Sequence, residues 1–188
     1  MNILVLCDQR SVAPDVGLKA ALEELLLQMS QDLEIIVINA EKLEPCIGCF
    51  SCWVKTPGQC FISTDSANEI AAKEVNAEVL VILSENTYGG FSADIKAFLD
   101  RSVQNILPFF VVHKKQMHHP KRYQRFPNLL TISYGDNTTK EKETFLSLAD
   151  RNALNMHPKR YLAINITDKN DLLNNREKIQ KFVKETSI

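Results

Sequence analysis

Four of the five cysteines fall within fifteen residues: Cys46, Cys49, Cys52 and Cys60, with two, two and seven residues between successive members. Thiolates at two-residue spacing can converge on one centre, whether a metal ion, an iron–sulfur cluster or a redox disulfide. One reading is a four-iron four-sulfur cluster held by all four. A second is a tetrahedral zinc site, although the two separated Cys-x-x-Cys pairs of a zinc ribbon are missing. A third is reduced thiols packing as small hydrophobes beside Ile47, Phe50 and Trp53. Cys7, at the end of an apolar run, reads as core.

Other segments carry chemistry of a different kind. Ser84 to Ser92 holds Glu85, Asn86, Thr87, Tyr88, Gly89 and Gly90. Two glycines permit positive φ and close approach of a ligand, and Tyr88 could stack on a flat ring. Ser92 could cap the helix that follows. The bland reading of the same residues is a strand-to-helix turn. Ser133 to Asn137 offers Tyr134 and Gly135 after another apolar run. Between Phe109 and Pro127, Lys114, Lys115, Lys121, Arg122 and Arg125 occur without an acidic residue, with His113, His118 and His119 among them. That segment reads either as a basic arm for a nicotinamide nucleotide's phosphate or as a charged, solvated excursion. His118 and His119 make a poor metal pair, because neighbours on a strand point to opposite faces. Tyr123 and Phe126 are too few aromatics to argue for RNA stacking.

Elements must position these groups. Apolar runs at Ile3 to Leu6, Glu34 to Ile38, Glu78 to Leu83, Leu129 to Ser133 and Tyr161 to Ile166 read as strands buried on both faces. Amphipathic stretches alternate with them: Pro14 to Ser30, a helix capped at Ser66, Ser92 to Gln104, a capping box at Thr138 opening a helix through Asn155, and a last helix capped by Asp168 or Asn170. Strand and helix in alternation predict a parallel sheet covered on both faces. The 188 residues fit one domain, with 41–64 and 107–128 as irregular segments inside it. Ligands of such sheets bind at the carboxyl ends of the strands, and both the cysteine segment and the Tyr88 loop are expected to open on that edge.

Composition excludes several classes. A hydrophobic content of 45% and charged content of 24% suit a soluble globular chain, and a formal net charge of −1 gives no bulk attraction to nucleic acid or membrane. No apolar run reaches bilayer length, and the first residues lack the basic region of a secretory signal. The expectation is a cytoplasmic protein with thiols mostly reduced. The apolar run Ile106 to Val112 is the candidate patch for a homo-oligomer.

Tyr88-Gly89-Gly90-Phe91-Ser92-Ala93-Asp94-Ile95-Lys96-Ala97-Phe98-Leu99-Asp100-Arg101 resembles the tyrosine loop and helix of flavodoxin-like NAD(P)H-dependent FMN reductases. The cysteine segment, with Trp53 and Lys55-Thr56-Pro57-Gly58 before Cys60, is similar to their iron–sulfur flavoprotein branch, as is Met117-His118-His119 with Arg122-Tyr123. The resemblance implies a five-stranded flavodoxin-like fold, order 2-1-3-4-5, with FMN at the strand tips and NAD(P)H as co-substrate. It also implies a small-molecule or redox-protein electron acceptor, with no nucleic acid or membrane partner. On that pattern Arg10 and Ser11 face the FMN phosphate, and Glu85, Asn86, Thr87, Tyr88, Gly89 and Gly90 line its ring, with Tyr134 and Gly135 beside it. If the resemblance extends to an iron–sulfur cluster, it implies Cys46, Cys49, Cys52 and Cys60 as the ligands. No side chain is assigned as a general acid or base.

The first loop departs from the pattern. Where those reductases carry Gly-Ser-Pro-Arg followed by Ser, Asn and Thr, this chain has Cys7-Asp8-Gln9-Arg10-Ser11-Val12-Ala13-Pro14-Asp15. Two aspartates add negative charge and Pro14 removes an amide donor. The departure supports an alternative function, a flavodoxin-fold chain that has lost flavin and acts as an interaction or assembly partner.

Overall fold

The computed structural model describes residues 1–186. Five parallel strands, β1 (Ile3–Asp8), β2 (Leu33–Ile38), β3 (Val79–Thr87), β7 (Asn128–Tyr134) and β8 (Tyr161–Ile166), lie in the order β2-β1-β3-β7-β8. This is the expected 2-1-3-4-5 order once two short additions are set aside. One is β4 (Gly90–Phe91), which folds back antiparallel on β3. The other is a separate hairpin of β5 (Val111–His113) and β6 (Gln116–His118) inside the basic segment.

The period of two along the central strands decides which layer each side chain joins. In β1, Ile3, Val5 and Cys7 face one core, with Leu22 and Leu26 of α1 (Leu18–Leu27) and with Leu172 of α6 (Lys169–Asn174) and Ile179 of α7 (Arg176–Lys184). Leu4 and Leu6 face the other core, with Ile70 of α3 (Ala67–Asn76), Phe98 of α4 (Ala93–Arg101) and Phe145 of α5 (Thr139–Met156). Central strands apolar on both faces are what a sheet sandwiched by helices requires.

The helix ends differ in part from their sequence signals. Thr138 forms the full capping box with Glu141, and Asp168 caps α6. Ser66 makes no side-chain cap; Asp65 takes the Ala67 amide instead, at 3.0 Å. The first helix begins only at Leu18, because Ala13 to Gly17 forms a turn in which the Val16 and Gly17 amides both donate to the Ala13 carbonyl. No helix among the described residues is long and apolar enough to cross a membrane.

Candidate functional site at the strand tips and a separate cysteine cavity

The carboxyl ends of β1, β3 and β7 meet around one buried carboxylate. Asp8, the last residue of β1, is 1% exposed. Its Oδ1 accepts from the Ser11 amide at 3.0 Å and from the Tyr134 hydroxyl at 2.6 Å, and its Oδ2 accepts from the Glu85 amide at 2.6 Å. Hydrogen bonds to an ionised acceptor are the strong ones, so Asp8 ties three tip segments together. Burial, then the bond to Asp8, pushes the Tyr134 phenol far above its ordinary value, which keeps it a donor. A second carboxylate works beside the first. Asp94, in the first turn of α4, accepts the Gln9 amide at 3.1 Å and the Ala40 amide at 2.8 Å, joining the loops after β1 and β2 to that helix.

The Tyr88 loop is held from both sides. Asn86 Oδ1 accepts the Gly89 amide at 2.8 Å, and the Asn86 carbonyl accepts from Asn137 Nδ2 at 2.9 Å. Gly89, at φ +85°, lies so close to α5 that a Cβ would stand 2.7 Å from Thr144 Cγ2. Its glycine is therefore needed for packing and backbone conformation. Ser92 caps α4 through the Ile95 amide, as its position in the sequence suggests. Tyr88 itself, at φ +53°, is 89% exposed and rests on nothing that would explain an aromatic there.

The residues expected to touch a cofactor are thus unevenly presented. Tyr88, exposed Thr87, half-buried Glu85 and Gly90 lie on the open edge. Asn86 and Gly89 shape the loop from within. Tyr134 is turned inward, in the core with Leu130 and Ile132, and its hydroxyl is engaged by Asp8. The Gly135 amide donates to the Ile166 carbonyl at 3.2 Å and is not offered to a ring. Ser11 is fully buried, with its hydroxyl on the Asp8 carbonyl at 2.7 Å. Arg10 forms a two-pronged pair with Asp15, at 3.0 and 2.6 Å. The edge offers a face for a flat ring, and neither of the two side chains expected at a phosphate, Arg10 and Ser11, has its donors free.

The cysteine segment does not open on this edge, contrary to what its place after β2 suggests. After β2 it runs along α4 to that helix's far end, a distance of about 13 Å for nine residues. There Arg101, 1% exposed, donates to the Glu44 carbonyl at 2.6 Å and the Ile62 carbonyl at 3.0 Å, one on each side of the cysteines, and pairs with Asp65 at 2.8 Å. Asn68 and Gln104 fix the Cys60 backbone, and Trp53 Nε1 donates to the Val103 carbonyl at 3.0 Å. Arg122, expected on a basic arm, instead donates to the Gln104 and Ile106 carbonyls, at 2.8 and 3.1 Å.

All four cysteines line one cavity of about 460 Å³, shared with Glu74, Arg101, His119 and the end of α5. Its walls come from helix ends that lead into β3 and β8, so it belongs to the amino-terminal side of the sheet. Cys46 and Cys49 are exposed, Cys52 is buried, and all are free thiols. Burial, with the neighbouring thiols, raises Cys52, whereas a hydrogen bond from Ser51 lowers Cys49. Among the described residues no three His, Cys, Asp or Glu gather closely enough to hold a metal ion. The four thiols match a thiolate-held centre in donor type and not in arrangement.

Glu74, on the same cavity, has Asn105 Nδ2 as its donor at 2.9 Å. Burial pushes its carboxyl up to about 8 from 4.5, and the Asn105 bond opposes this only in part. Between those values the folded chain keeps a proton that the unfolded chain has released. Stability is therefore full below 4.5 and declines as pH rises toward 8. Glu74→Gln is expected to flatten this decline in melting temperatures measured across that window.

Comparison with known proteins fits the fold. No family model matches the chain. The sheet order and tip loops define a flavodoxin-like α/β protein. The chain is similar over its whole length to an NAD(P)H:quinone oxidoreductase from Methanothermobacter marburgensis (TM-score 0.70, 10% identity, 100% of this chain and 98% of that one). It is similar to an azoreductase from Bacillus anthracis (0.60, 12%, 99% and 97%) and to an FMN-dependent NADH-azoreductase of that organism in complex with FMN (0.52, 15%, 100% and 98%). In sequence, 71 residues are 38% identical to an iron–sulfur flavoprotein of Methanocaldococcus jannaschii. That match spans 38% of this chain and 35% of the relative's length.

Proposed function

We propose that the chain is a flavin-dependent NAD(P)H oxidoreductase of the flavin- or quinone-reductase type, with FMN as the flavin its structural neighbours suggest. The observation that carries this reading is Tyr88: an aromatic side chain, 89% exposed, on a braced loop at the strand tips. A bound flavin would supply two-electron chemistry, taking a hydride from a reduced nicotinamide and passing both electrons to a quinone, free flavin or redox protein. The chain's own part is to stack Tyr88 on the ring, keep Gly90 low enough for close approach, and hold the edge rigid through Asn86, Asp8 and Asp94. No step of this reading passes through the cysteines.

Stacking of this kind contributes about 0.5–1.5 kcal/mol, so Tyr88→Ala is expected to weaken flavin binding by about 2- to 12-fold without affecting folding. The test is NAD(P)H oxidation with FMN and a quinone acceptor, together with flavin titration of both proteins. Equal flavin affinity in the two would remove the carrying observation.

The first loop favours a second reading, a flavin-free interaction partner, which predicts neither flavin uptake nor NAD(P)H oxidation. In the leading reading the protein is cytoplasmic and a homo-oligomer. Phe109, Phe110, Val112 and Met117 stand exposed on and beside the β5–β6 hairpin, an apolar surface suited to a second copy. Light scattering after size exclusion is expected to report more than one chain per particle; a monomer would count against it.

A further inference from the structure

We infer that the strand-tip edge recognises a flavin by its ring alone, as an exchangeable ligand taken from solution and not as a group clamped by its phosphate. This rests on the flavin reading above and narrows it. A phosphate at such an edge needs free amides, hydroxyls or a cation converging on it. In the loop after β1 most of those donors are already engaged, and the uncapped first amides of α1, Leu18 to Ala20, are joined by no side-chain hydroxyl or cation that is not already paired. The Ser11 amide faces Asp8 and the Gln9 amide faces Asp94. The amides of Val12, Ala13, Val16 and Gly17 close the loop's own turns, and Pro14 has none. The Ser11 hydroxyl lies on the Asp8 carbonyl, and the Arg10 guanidinium is forked onto Asp15.

Charge leads to the same conclusion. Asp8 is itself an anion bound at the tips, held by two amides and a phenol. A flavin phosphate would have to displace it or lie beside it as a like charge. The chain therefore carries its own anion where a cofactor's could have been bound. A phosphate-free flavin loses nothing here.

FMN and riboflavin differ only in the phosphate, so their affinities read this out directly. In titrations followed by flavin fluorescence, the two dissociation constants are expected to agree within about 3-fold, and bound flavin to be lost on gel filtration. FMN binding more than about 3-fold tighter than riboflavin would overturn the inference and leave the oxidoreductase reading standing. Binding of neither would end the oxidoreductase reading, and the inference with it. Arg10→Gln gives an independent arm, because Arg10 is exposed and its loss does not threaten the fold. The FMN-to-riboflavin ratio is expected to stay the same in that variant. A selective loss of FMN affinity would mean that Arg10 leaves Asp15 for the phosphate, and would also overturn the inference.

Discussion

Replacing Arg101 with methionine is expected to lower the free energy of unfolding by about 3–5 kcal/mol, the cost of leaving one member of a buried ion pair alone. Arg101 closes α4 and meets Asp65, which is buried too, at 2.8 and 3.3 Å. Burial by itself would raise the Asp65 carboxyl. Arg101 and the amides of Ala67 and Glu44 more than offset that and hold it below the ordinary value. The same guanidinium also holds the Glu44 and Ile62 carbonyls, the two ends of the cysteine segment. Loss of stability should therefore come with loss of local order. Urea denaturation reads the first, and faster labelling of buried Cys52 by a thiol reagent reads the second. Lysine should rescue poorly, since a single ammonium cannot reproduce the forked contacts. A loss below about 1 kcal/mol would mean that the pair behaves as a surface one.

The second large effect is expected at Asp8. Asp8→Ala leaves the Ser11 amide and the Tyr134 hydroxyl, both buried, and the half-buried Glu85 amide without their acceptor. Each buried donor left unpaired costs about 1–3 kcal/mol, so the two buried donors predict a loss of about 2–6 kcal/mol in thermal or urea unfolding. Asp8→Asn keeps the shape and one acceptor oxygen, and should cost less. Ser11→Ala removes only a hydroxyl bond and should cost about 1 kcal/mol. A fully stable Asp8→Ala protein would show that the three tip segments do not depend on this carboxylate.

Much of the architecture was legible in the sequence. The five apolar runs become the five parallel strands, but only the central three are buried on both faces; the edge strands β2 and β8 expose Glu34, Val37 and Tyr161. Thr138 and Asp168 cap where their spacing predicts. The β5–β6 hairpin was not legible. Its strands are three residues each, and its turn runs through Lys114 and Lys115 at positive φ in place of the usual Asn-Gly.

The site was legible in pieces. The Tyr88 loop lies where the strand order predicts, but Tyr134 was expected to face a ligand. Extending β7 by one residue would have corrected that, since a period of two puts Tyr134 on the core face of Leu130 and Ile132. In the sequence Asp8 is only an added negative charge, because its role as an acceptor depends on amides 3 and 77 positions away that no local pattern links. The path of the cysteines along α4 depends on one long-range pair, Arg101 with Asp65, which no local period reveals.

A flavin ring stacked at the strand tips against the Tyr88 loop would shield the amides of that loop from solvent. Hydrogen–deuterium exchange of the protein with and without saturating FMN tests this most directly. Slowed exchange is expected across Glu85 to Phe91, with Gln9 to Gly17 unchanged. Protection confined to the cysteine cavity, or strongest in the loop after β1, would contradict this placement of the ring.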